Sequence, residues 1–320
     1  MYYIGIDLGG TNVAAGVVNE KGDFLGQASV PYPRGAQDID HAVADAIADA
    51  ARGACRKAGV AVSDCKSLGV ASAGSIDPEH GVVLHAWNLG LHGTPLAKLV
   101  TDRLGLPALL ENDANAAALG EFVAGAGKGT RNMVAVTLGT GVGAGAVLDG
   151  KLFTGFNYAG MEGGHMVIRR DGRQCTCGRK GCWEAYASAT GLILSTKTAM
   201  AHHPESLLWE LAPTEDAVSG KTPFDAAQAG DHTAQEVVEE YIKDLACGLT
   251  NLINLFQPEV LSIAGGVSKQ GEALLEPVRA ILDREEFTRD NPAARRCRIT
   301  TALLGSEAGT IGAALVGEYR

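Results

Sequence analysis

The hydrophobic positions of the chain follow two periods, one typical of helices and one typical of strands. Apolar residues at helical spacing predict an amphipathic helix over residues 39–59 and a long helix with a broad apolar face over residues 237–256. Short apolar runs predict buried strands over residues 68–74, 108–110 and 260–263. Strands that alternate with helices are typical of α/β folds with mainly parallel sheets.

One segment in the second half of the chain shows no clear period. Residues 202–232 are rich in Pro, Ser, Thr and Asp, a composition that favours an irregular surface excursion. Further on, the apolar positions within residues 307–318 predict a closing helix.

An internal repeat is the most informative feature of the sequence. Residues 4–18 and 134–148 align without a gap, and each segment shows a strand, a glycine-rich turn and a second strand. Gly9 aligns with Gly139. Chance similarity between glycine-rich hairpins is the alternative, but a spacing this long favours a duplicated domain over a solenoid. The repeat indicates a domain boundary near residue 117.

Composition and charge exclude several classes of protein. Of the 320 residues, 46% are hydrophobic and 20% are charged, which supplies enough apolar side chains for buried cores. Because the net charge is −10, we expect no nucleic-acid partner. The N-terminus lacks the features of a signal peptide and no apolar run is long enough to span a membrane, so we expect a cytoplasmic protein without a membrane partner.

The two aligned glycine turns are candidate phosphate-binding sites, because glycine lets the backbone approach closely and present its N–H groups to a polyphosphate. The candidate residues are Asp7, Gly9, Gly10, Thr11 and Asn12 in the first turn and Gly139, Thr140 and Gly141 in the second. The carboxylate of Asp7 could also hold Mg²⁺ through water. Neither turn has the pattern of a P-loop or opens a helix as a dinucleotide fingerprint does. Purely structural hairpins are the alternative.

Three of the seven cysteines are clustered in the sequence. Cys175, Cys177 and Cys182 lie within eight residues, and His165 precedes the first of them by ten. In a reducing compartment such a cluster favours a metal site over disulfide bonds. Three thiolates and one imidazole are a typical ligand set for a closed, structural Zn²⁺ site. A reduced loop without metal is the alternative.

A polar triplet follows the predicted strand at residues 108–110. Glu111, Asn112 and Asp113 therefore lie at the carboxyl end of that strand, where open α/β sheets bind their ligands. Phosphoryl transfer needs an acidic residue that orients the attacking hydroxyl and accepts its proton, and Asp113 is the candidate base. An N-terminal cap on the following helix is the alternative role for Asp113.

The seven histidines other than His165 show no ligand spacing to one another. We therefore expect them to be surface or packing residues. They are His41, His80, His85, His92, His202, His203 and His232.

Several of these motifs together resemble the ROK family of sugar kinases and repressors. The segments that carry the resemblance are Asp7–Thr11, Glu111–Asp113, Leu138–Gly141, Glu162–His165 and Cys175–Glu184. They match in order across essentially the whole chain, and the sequence is most similar to the bacterial glucokinases of that family. The resemblance implies a pair of actin-like, hexokinase-like (ribonuclease H-like) α/β domains with the active site in the interdomain cleft.

The resemblance also implies an activity and a domain organisation. The expected activity is ATP- and Mg²⁺-dependent phosphorylation of the 6-hydroxyl of a hexose, with glucose as the expected substrate and Asp113 as the base. The small N-terminal domain would comprise residues 1–117 plus 306–320, and the large domain with the zinc loop would comprise residues 118–305. A homodimer or a larger homo-oligomer is expected.

Individual binding roles follow from the same resemblance. The implied sugar contacts are Gly74, Asn88, Asn112, Glu162, His165 and Glu184. Gly265 and Gly266 would lie at the nucleotide-base end of the ATP site. Turn and cap roles are the alternative for Gly74 and Asn88.

Two other functions are compatible with parts of the pattern. A kinase of the same family for N-acetylmannosamine, N-acetylglucosamine, fructose or mannose would keep every motif named above. A sugar-sensing transcriptional repressor of the family would carry a helix-turn-helix module ahead of the first glycine turn. We expect no such module, because Asp7 lies almost at the N-terminus and the net charge is −10.

Overall fold

The computed structural model describes all residues, 1–320, and shows strands alternating with helices. The strands are β1 (Tyr2–Leu8), β2 (Asn12–Asn19), β3 (Phe24–Pro31), β4 (Cys65–Ser72), β5 (Ser75–Asp77), β6 (Val82–Ala86), β7 (Leu91–Thr94), β8 (Ala108–Asn112), β9 (Met133–Leu138), β10 (Val142–Leu148), β11 (Lys151–Phe153), β12 (Val260–Gly265) and β13 (Arg298–Thr301). The α-helices are α1 (Ile39–Ala58), α2 (Leu96–Leu104), α3 (Asp113–Ala124), α4 (Glu184–Ala187), α5 (Ala189–His202), α6 (Leu208–Leu211), α7 (Thr222–Gln228), α8 (His232–Phe256), α9 (Glu272–Glu285) and α10 (Ala308–Leu315).

Two five-stranded sheets repeat the same strand order. The first sheet has the order β3-β2-β1-β4-β8, and the second has the order β11-β10-β9-β12-β13. In the first sheet β2 and β3 are antiparallel and β4 and β8 are parallel; in the second, β10 and β11 are antiparallel and β12 and β13 are parallel. The hairpins β1–β2 and β9–β10 hold corresponding places in the two sheets, as the internal sequence repeat predicts.

The chain folds into two compact units. The first unit comprises Met1–Ala135, Gly145–Met161 and Ala302–Arg320, and the second unit comprises Val136–Ala144 and Glu162–Thr301. These units are defined by contacts within the folded chain, whereas the predicted domains are defined by the internal sequence repeat. The predicted domains 1–117 plus 306–320 and 118–305 therefore stay a prediction.

The first unit packs helices on its five-stranded sheet. Helix α1 contributes buried side chains such as Val43 and Ile47 to a core with β1, β2 and β4. Helix α10 packs closely on β1 and β4, because both strands carry a glycine at the contact. A methyl group on Gly5 would overlap the carbonyl oxygen of Thr310, and one on Gly69 would overlap that of Ala313. Both glycines therefore allow the closing helix to lie directly on the sheet.

Helix boundaries in the first unit follow the expected signals. The predicted helix over residues 39–59 is confirmed as α1, which is capped by the side chain of Asp38 and ends at Gly59 with φ of 70°. The predicted closing helix is confirmed as α10, and a 3₁₀ turn over Val316–Glu318 follows it.

The long helix α8 organises the second unit. It contacts α5, α7 and α9, and it confirms the predicted helix over residues 237–256 with five more residues at its start. Its Gly248 lies against the indole ring of Trp183, which is fully buried and donates a hydrogen bond to the carbonyl oxygen of Asp244 at 3.0 Å.

The surface excursion expected over residues 202–232 is more regular than its composition predicts. This segment contains α6, α7 and a 3₁₀ turn over Glu215–Ala217. Its apolar residues form a small core of their own with the flanking helices, from the buried residues Met200, Leu208, Ala212, Val218, Ala226 and Ala234. The polar composition obscured helices that are too short to show a period.

None of the ten α-helices has both the length and the apolar character that a membrane span requires.

Candidate active site

The junction between β8 and α3 exposes a carboxylate. Asn112 is the N-cap of α3, and its Oδ1 atom accepts hydrogen bonds from the backbone N–H groups of Ala114 at 2.9 Å and Asn115 at 3.3 Å. The capping role that was the alternative for Asp113 thus belongs mainly to Asn112. Asp113 is the first residue of α3; its Oδ1 atom accepts from the same Ala114 N–H group at 2.9 Å, and its side chain keeps contact with solvent.

Two carboxylates of the first unit have raised pKa values. Desolvation by the surrounding protein raises the pKa of Asp113, although the residue reaches solvent, and the hydrogen bond from Ala114 opposes this effect. Burial raises the pKa of Asp7, and the negative charge of Asp113 raises it further. A carboxylate with a raised pKa is a stronger proton acceptor than an ordinary one, which suits Asp113 to the role of a base.

Glu111 supports this junction from within the protein. Its carboxylate is buried and accepts hydrogen bonds from the backbone N–H of Asn112 at 2.9 Å and from the amide of Asn115 at 3.0 Å. The guanidinium of Arg320 lies 3.4 Å from it. No separate role for Glu111 was predicted from the sequence. The available signal was a charged residue placed directly after an apolar strand.

The first glycine turn lies between β1 and β2 and is closed by a hydrogen bond from the N–H of Gly9 to the carbonyl oxygen of Asn12 at 3.1 Å. Thr11 and Asn12 are exposed. Arg34, which was not among the predicted site residues, donates from Nε to the carbonyl oxygen of Gly10 at 2.8 Å. This exposed cation lies directly beside the turn, a favourable place for a phosphate contact.

Two further loops of the first unit reach the same region. Gly74 has φ of 97°, and a methyl group there would overlap the carbonyl oxygen of His85, so only glycine fits. The side-chain amide of Asn112 donates to the carbonyl oxygen of Gly74 at 3.4 Å. The carbonyl oxygen of Asn88 lies 3.9 Å from where a Cβ on Gly10 would be. The structure therefore gathers the first unit's candidate residues in one region.

The second glycine turn belongs to the second unit and is held by Glu184. The N–H of Gly139 donates to the carbonyl oxygen of Gly141 at 3.0 Å. Oε2 of Glu184 accepts from the N–H of Val142 at 3.0 Å, and a methyl group on Gly141 would overlap that oxygen. Gly265 has φ of 95° and lies against the backbone of Leu138. Glu184 and Gly265 thus both contact this turn.

Four side chains of the second unit form a Cys₃His cluster, consisting of His165, Cys175, Cys177 and Cys182. Their ligand atoms all lie within 4.8 Å of one another. The separation is 3.7 Å between Cys175 Sγ and His165 Nδ1 and also 3.7 Å between the Sγ atoms of Cys177 and Cys182. Since Zn–S bonds are about 2.3 Å long, the edge of a tetrahedral site is about 3.8 Å, so these residues fit a Zn²⁺ ion.

The remaining candidate sugar contacts adjoin this cluster. Glu162 is exposed and precedes a 3₁₀ turn over Gly163–His165, in which the N–H of His165 donates to the carbonyl oxygen of Glu162 at 3.0 Å. Because Nδ1 of His165 faces the cluster, its Nε2 is left for another partner. Oε1 of Glu184 accepts from Thr176 at 3.3 Å.

Gly266, the other candidate at the nucleotide-base end of the ATP site, has open space where a Cβ would be.

Comparison with known proteins places the chain in a family, because a match to the ROK family covers residues 3–318. This chain belongs to the ROK family. It is similar to the glucokinase of Streptomyces coelicolor, with 38% identity over 315 residues, which are 97% of this chain and 96% of the relative.

Solved ROK structures share the fold. A ROK family glucokinase from Streptomyces griseus, crystallised in complex with glucose and AMPPNP, is 38% identical with a TM-score of 0.77, and the match covers 98% of each chain. A ROK hexokinase from Thermus thermophilus is 34% identical with a TM-score of 0.81, and the match covers 99% of this chain and 97% of the other. The predicted family and the predicted actin-like α/β fold are confirmed. The roles of individual residues stay predictions.

Proposed function

We propose that this protein is an ATP-dependent hexose kinase that transfers the γ-phosphoryl group of ATP to the 6-hydroxyl of glucose. The proposal is supported by ROK relatives at 38% identity that are named glucokinases, one of them crystallised with glucose and the ATP analogue AMPPNP. The observation that carries it in this chain is the solvent-accessible carboxylate of Asp113, whose pKa is raised by desolvation.

Asp113 is the base of the proposed reaction. It accepts the proton of the 6-hydroxyl as that oxygen attacks the γ-phosphorus, while the bond from the γ-phosphorus to the β,γ-bridging oxygen breaks and ADP leaves. Asn112 is the main cap of α3, and the carboxylate of Asp113, which accepts from Ala114, stays open to the substrate. Glu111 holds the junction rigid from below through its two hydrogen bonds.

The first unit supplies phosphate and sugar contacts in this proposal. Backbone N–H groups of the first glycine turn bind the phosphates of ATP, through Gly9, Gly10, Thr11 and Asn12. The carboxylate of Asp7 would hold the Mg²⁺ that accompanies ATP, and the ion would supply positive charge beside the phosphates. Gly74, Asn88 and Asn112 bind sugar hydroxyls.

The second unit supplies a further set of contacts. The ATP phosphates bind to the second glycine turn, through Gly139, Thr140 and Gly141. The nucleoside has room to bind beside Gly265 and Gly266. Glu162, His165 and Glu184 bind sugar hydroxyls. His165, Cys175, Cys177 and Cys182 would hold a structural Zn²⁺ that orders this loop, and Nε2 of His165 would remain available to the sugar.

The wider setting follows from the same assignment. The product, glucose 6-phosphate, enters glycolysis, and the reduced cysteine cluster suits a cytoplasmic location. A homodimer or larger homo-oligomer is proposed from the family resemblance. A related kinase for N-acetylmannosamine, N-acetylglucosamine, fructose or mannose is the second candidate, since the motifs serve groups that these sugars share.

A coupled assay of ADP release tests the proposal. Purified protein is given Mg·ATP with glucose, mannose, fructose, N-acetylglucosamine or N-acetylmannosamine, and Asp113→Asn serves as the inactive control. Selective turnover of glucose supports the proposal. Turnover of an acetylated sugar alone would mean that this sugar, and not glucose, is the substrate. The absence of turnover with every sugar would contradict the assignment as a hexose kinase.

A further inference from the structure

Two exposed histidines of the first unit face each other across neighbouring strands. The strands β5, β6 and β7 form a small sheet in that order, and His85 of β6 lies directly opposite His92 of antiparallel β7. Their Nδ1 atoms are 3.5 Å apart. Both side chains are exposed, so this histidine pair, His85 and His92, is open to solvent.

The separation of the two nitrogens is long for a hydrogen bond and suits a chelate. A hydrogen bond with a nitrogen donor has a typical donor–acceptor distance of about 2.9–3.0 Å, well short of this separation. A divalent ion bound to imidazole has metal–nitrogen bonds of about 2.0–2.1 Å, and two such bonds at the tetrahedral angle place the nitrogens about 3.3–3.4 Å apart. The observed 3.5 Å is within 0.2 Å of that edge.

We propose that Nδ1 of His85 and Nδ1 of His92 together bind one late divalent transition-metal ion, with water completing its coordination. Imidazole is a preferred ligand of Zn²⁺, Ni²⁺ and Cu²⁺. No residue of the Cys₃His cluster takes part, so the site is additional to the structural zinc site.

The surroundings of the histidine pair favour a bound ion. Ser75 of β5 pairs with His85 on the other side and is exposed. Trp87 stacks parallel to His85, with ring centroids 5.9 Å apart and planes at 7°, and meets His92 edge-on at 4.7 Å. These ring contacts restrict the imidazoles and so reduce the entropy lost on chelation.

The position of the site in the fold gives it a local consequence. The turn from Trp87 to Gly90 joins β6 to β7 and carries Asn88. The backbone of His85 packs against Gly74. A metal ion on the histidine pair would tie the two strands together at the base of this turn.

Titration with Ni²⁺ tests the proposal on the full-length protein with its cysteine cluster already loaded with zinc. Isothermal titration calorimetry measures binding, and tryptophan fluorescence reports where the ion binds. We expect one saturable equivalent with quenching of Trp87, because this indole is 81% exposed and its ring lies 4.7 Å from that of His92. Trp87→Phe should keep the calorimetric binding and lose the quenching.

Ligand variants decide the assignment. His85→Gln and His92→Gln should each weaken Ni²⁺ binding by at least the roughly 10- to 100-fold that loss of an outer-shell partner costs. His232→Gln removes an exposed histidine of the second unit and should bind as wild type does. All three side chains are exposed, so thermal unfolding should be unchanged.

Two results would overturn the proposal. One is the absence of any saturable Ni²⁺ binding to the zinc-loaded wild-type protein. The other is wild-type affinity in His92→Gln, which would assign the binding to the cysteine cluster or another surface group.

Discussion

The negative charge of Asp113 raises the pKa of Asp7, in addition to the larger increase that burial causes. The sheet brings these two acids near each other, because Asp7, the next-to-last residue of β1, pairs with Ala71 of β4, and the same Ala71 pairs with Glu111 of β8, two residues before Asp113. Two like charges at one sheet edge repel each other, which costs free energy in the ligand-free protein. This arrangement is characteristic of functional sites.

Replacement of the proposed base should separate catalysis from folding. We expect Asp113→Asn to lower kcat by about 10²- to 10⁴-fold, because the variant cannot accept the proton of the attacking hydroxyl. The KM for glucose should change little, since the amide keeps the shape of the side chain. Steady-state kinetics with saturating Mg·ATP measure both constants. A kcat close to that of wild type would remove Asp113 from the role of base.

The same two acids should leave a signature in the pH dependence of stability. Their pKa values in the folded state are raised above the ordinary 3.8, so the folded protein holds these protons more tightly than the unfolded chain. Their stabilising contribution is therefore fully present below pH 3.8 and is lost as the pH rises through the raised values. Urea unfolding of the ligand-free protein from about pH 4 to 8 measures this loss.

Asp113→Asn should reduce that loss. The variant removes one titrating group and one repulsive charge, so it should become more stable relative to wild type as the pH rises above 3.8. Asp216→Asn, at an exposed position of the second unit, is the control and should follow wild type. A difference between Asp113→Asn and wild type that stays constant over the whole range would contradict the raised pKa values.

Much of this fold follows from local sequence signals. The end of α1 at Gly59 and the glycine turns of both hairpins could be predicted, because glycine is favoured where the backbone needs a left-handed or crowded conformation. The Cys₃His cluster could also be predicted, since its three cysteines are close in sequence and need only a short loop to meet.

Contacts that depend on strand register or on long loops could not be predicted. His85 and His92 lie opposite each other because of the register of β6 on β7. The two residues are seven positions apart in the sequence, and this spacing alone does not predict the register. The hydrogen bond from Val142 to Glu184 spans 42 residues. At the start of α3, the sequence pointed to a capping role for Asp113 alone, and the structure shows that Asn112 takes the role.

Loss of one of the proposed cysteine ligands should remove the proposed zinc and weaken sugar binding together. We expect Cys177→Ser to lose its zinc in inductively coupled plasma mass spectrometry, because one hard hydroxyl cannot replace a thiolate in a Cys₃His set. The KM for glucose should rise at least about 10-fold, since His165 and the loop around it lose their fixed orientation. Cys247→Ser, outside the cluster, is the matched control. Retention of zinc and of normal KM in Cys177→Ser would show that other contacts order the loop.

A methyl group on Gly74 should disturb the loop that contacts Asn112. Gly74→Ala places a side chain at φ of 97° and against the carbonyl oxygen of His85. We expect a loss of unfolding free energy above the roughly 1–2 kcal/mol that left-handed backbone alone costs, together with a raised KM for glucose. Gly59→Ala has a similar φ of 70° with open space around it and isolates the backbone cost. Equal losses of unfolding free energy in the two variants would show that the loop adjusts to the added methyl group and that the overlap with His85 costs no stability.

The buried carboxylate of Glu121 should be among the most important polar groups for stability in the first unit. It accepts hydrogen bonds from the N–H groups of Leu303 at 2.9 Å, Leu304 at 2.7 Å and Ala126 at 2.8 Å, and so fixes the start of the segment that leads into α10. Glu121→Ala leaves these donors without their partner, and each hydrogen bond to a charged group contributes about 1.5–3 kcal/mol. We expect unfolding free energy to fall by on the order of 3 kcal/mol or more in urea titrations. Glu276→Ala, on the exposed face of α9, should cost little, and an equally small loss in Glu121→Ala would mean that water replaces the carboxylate.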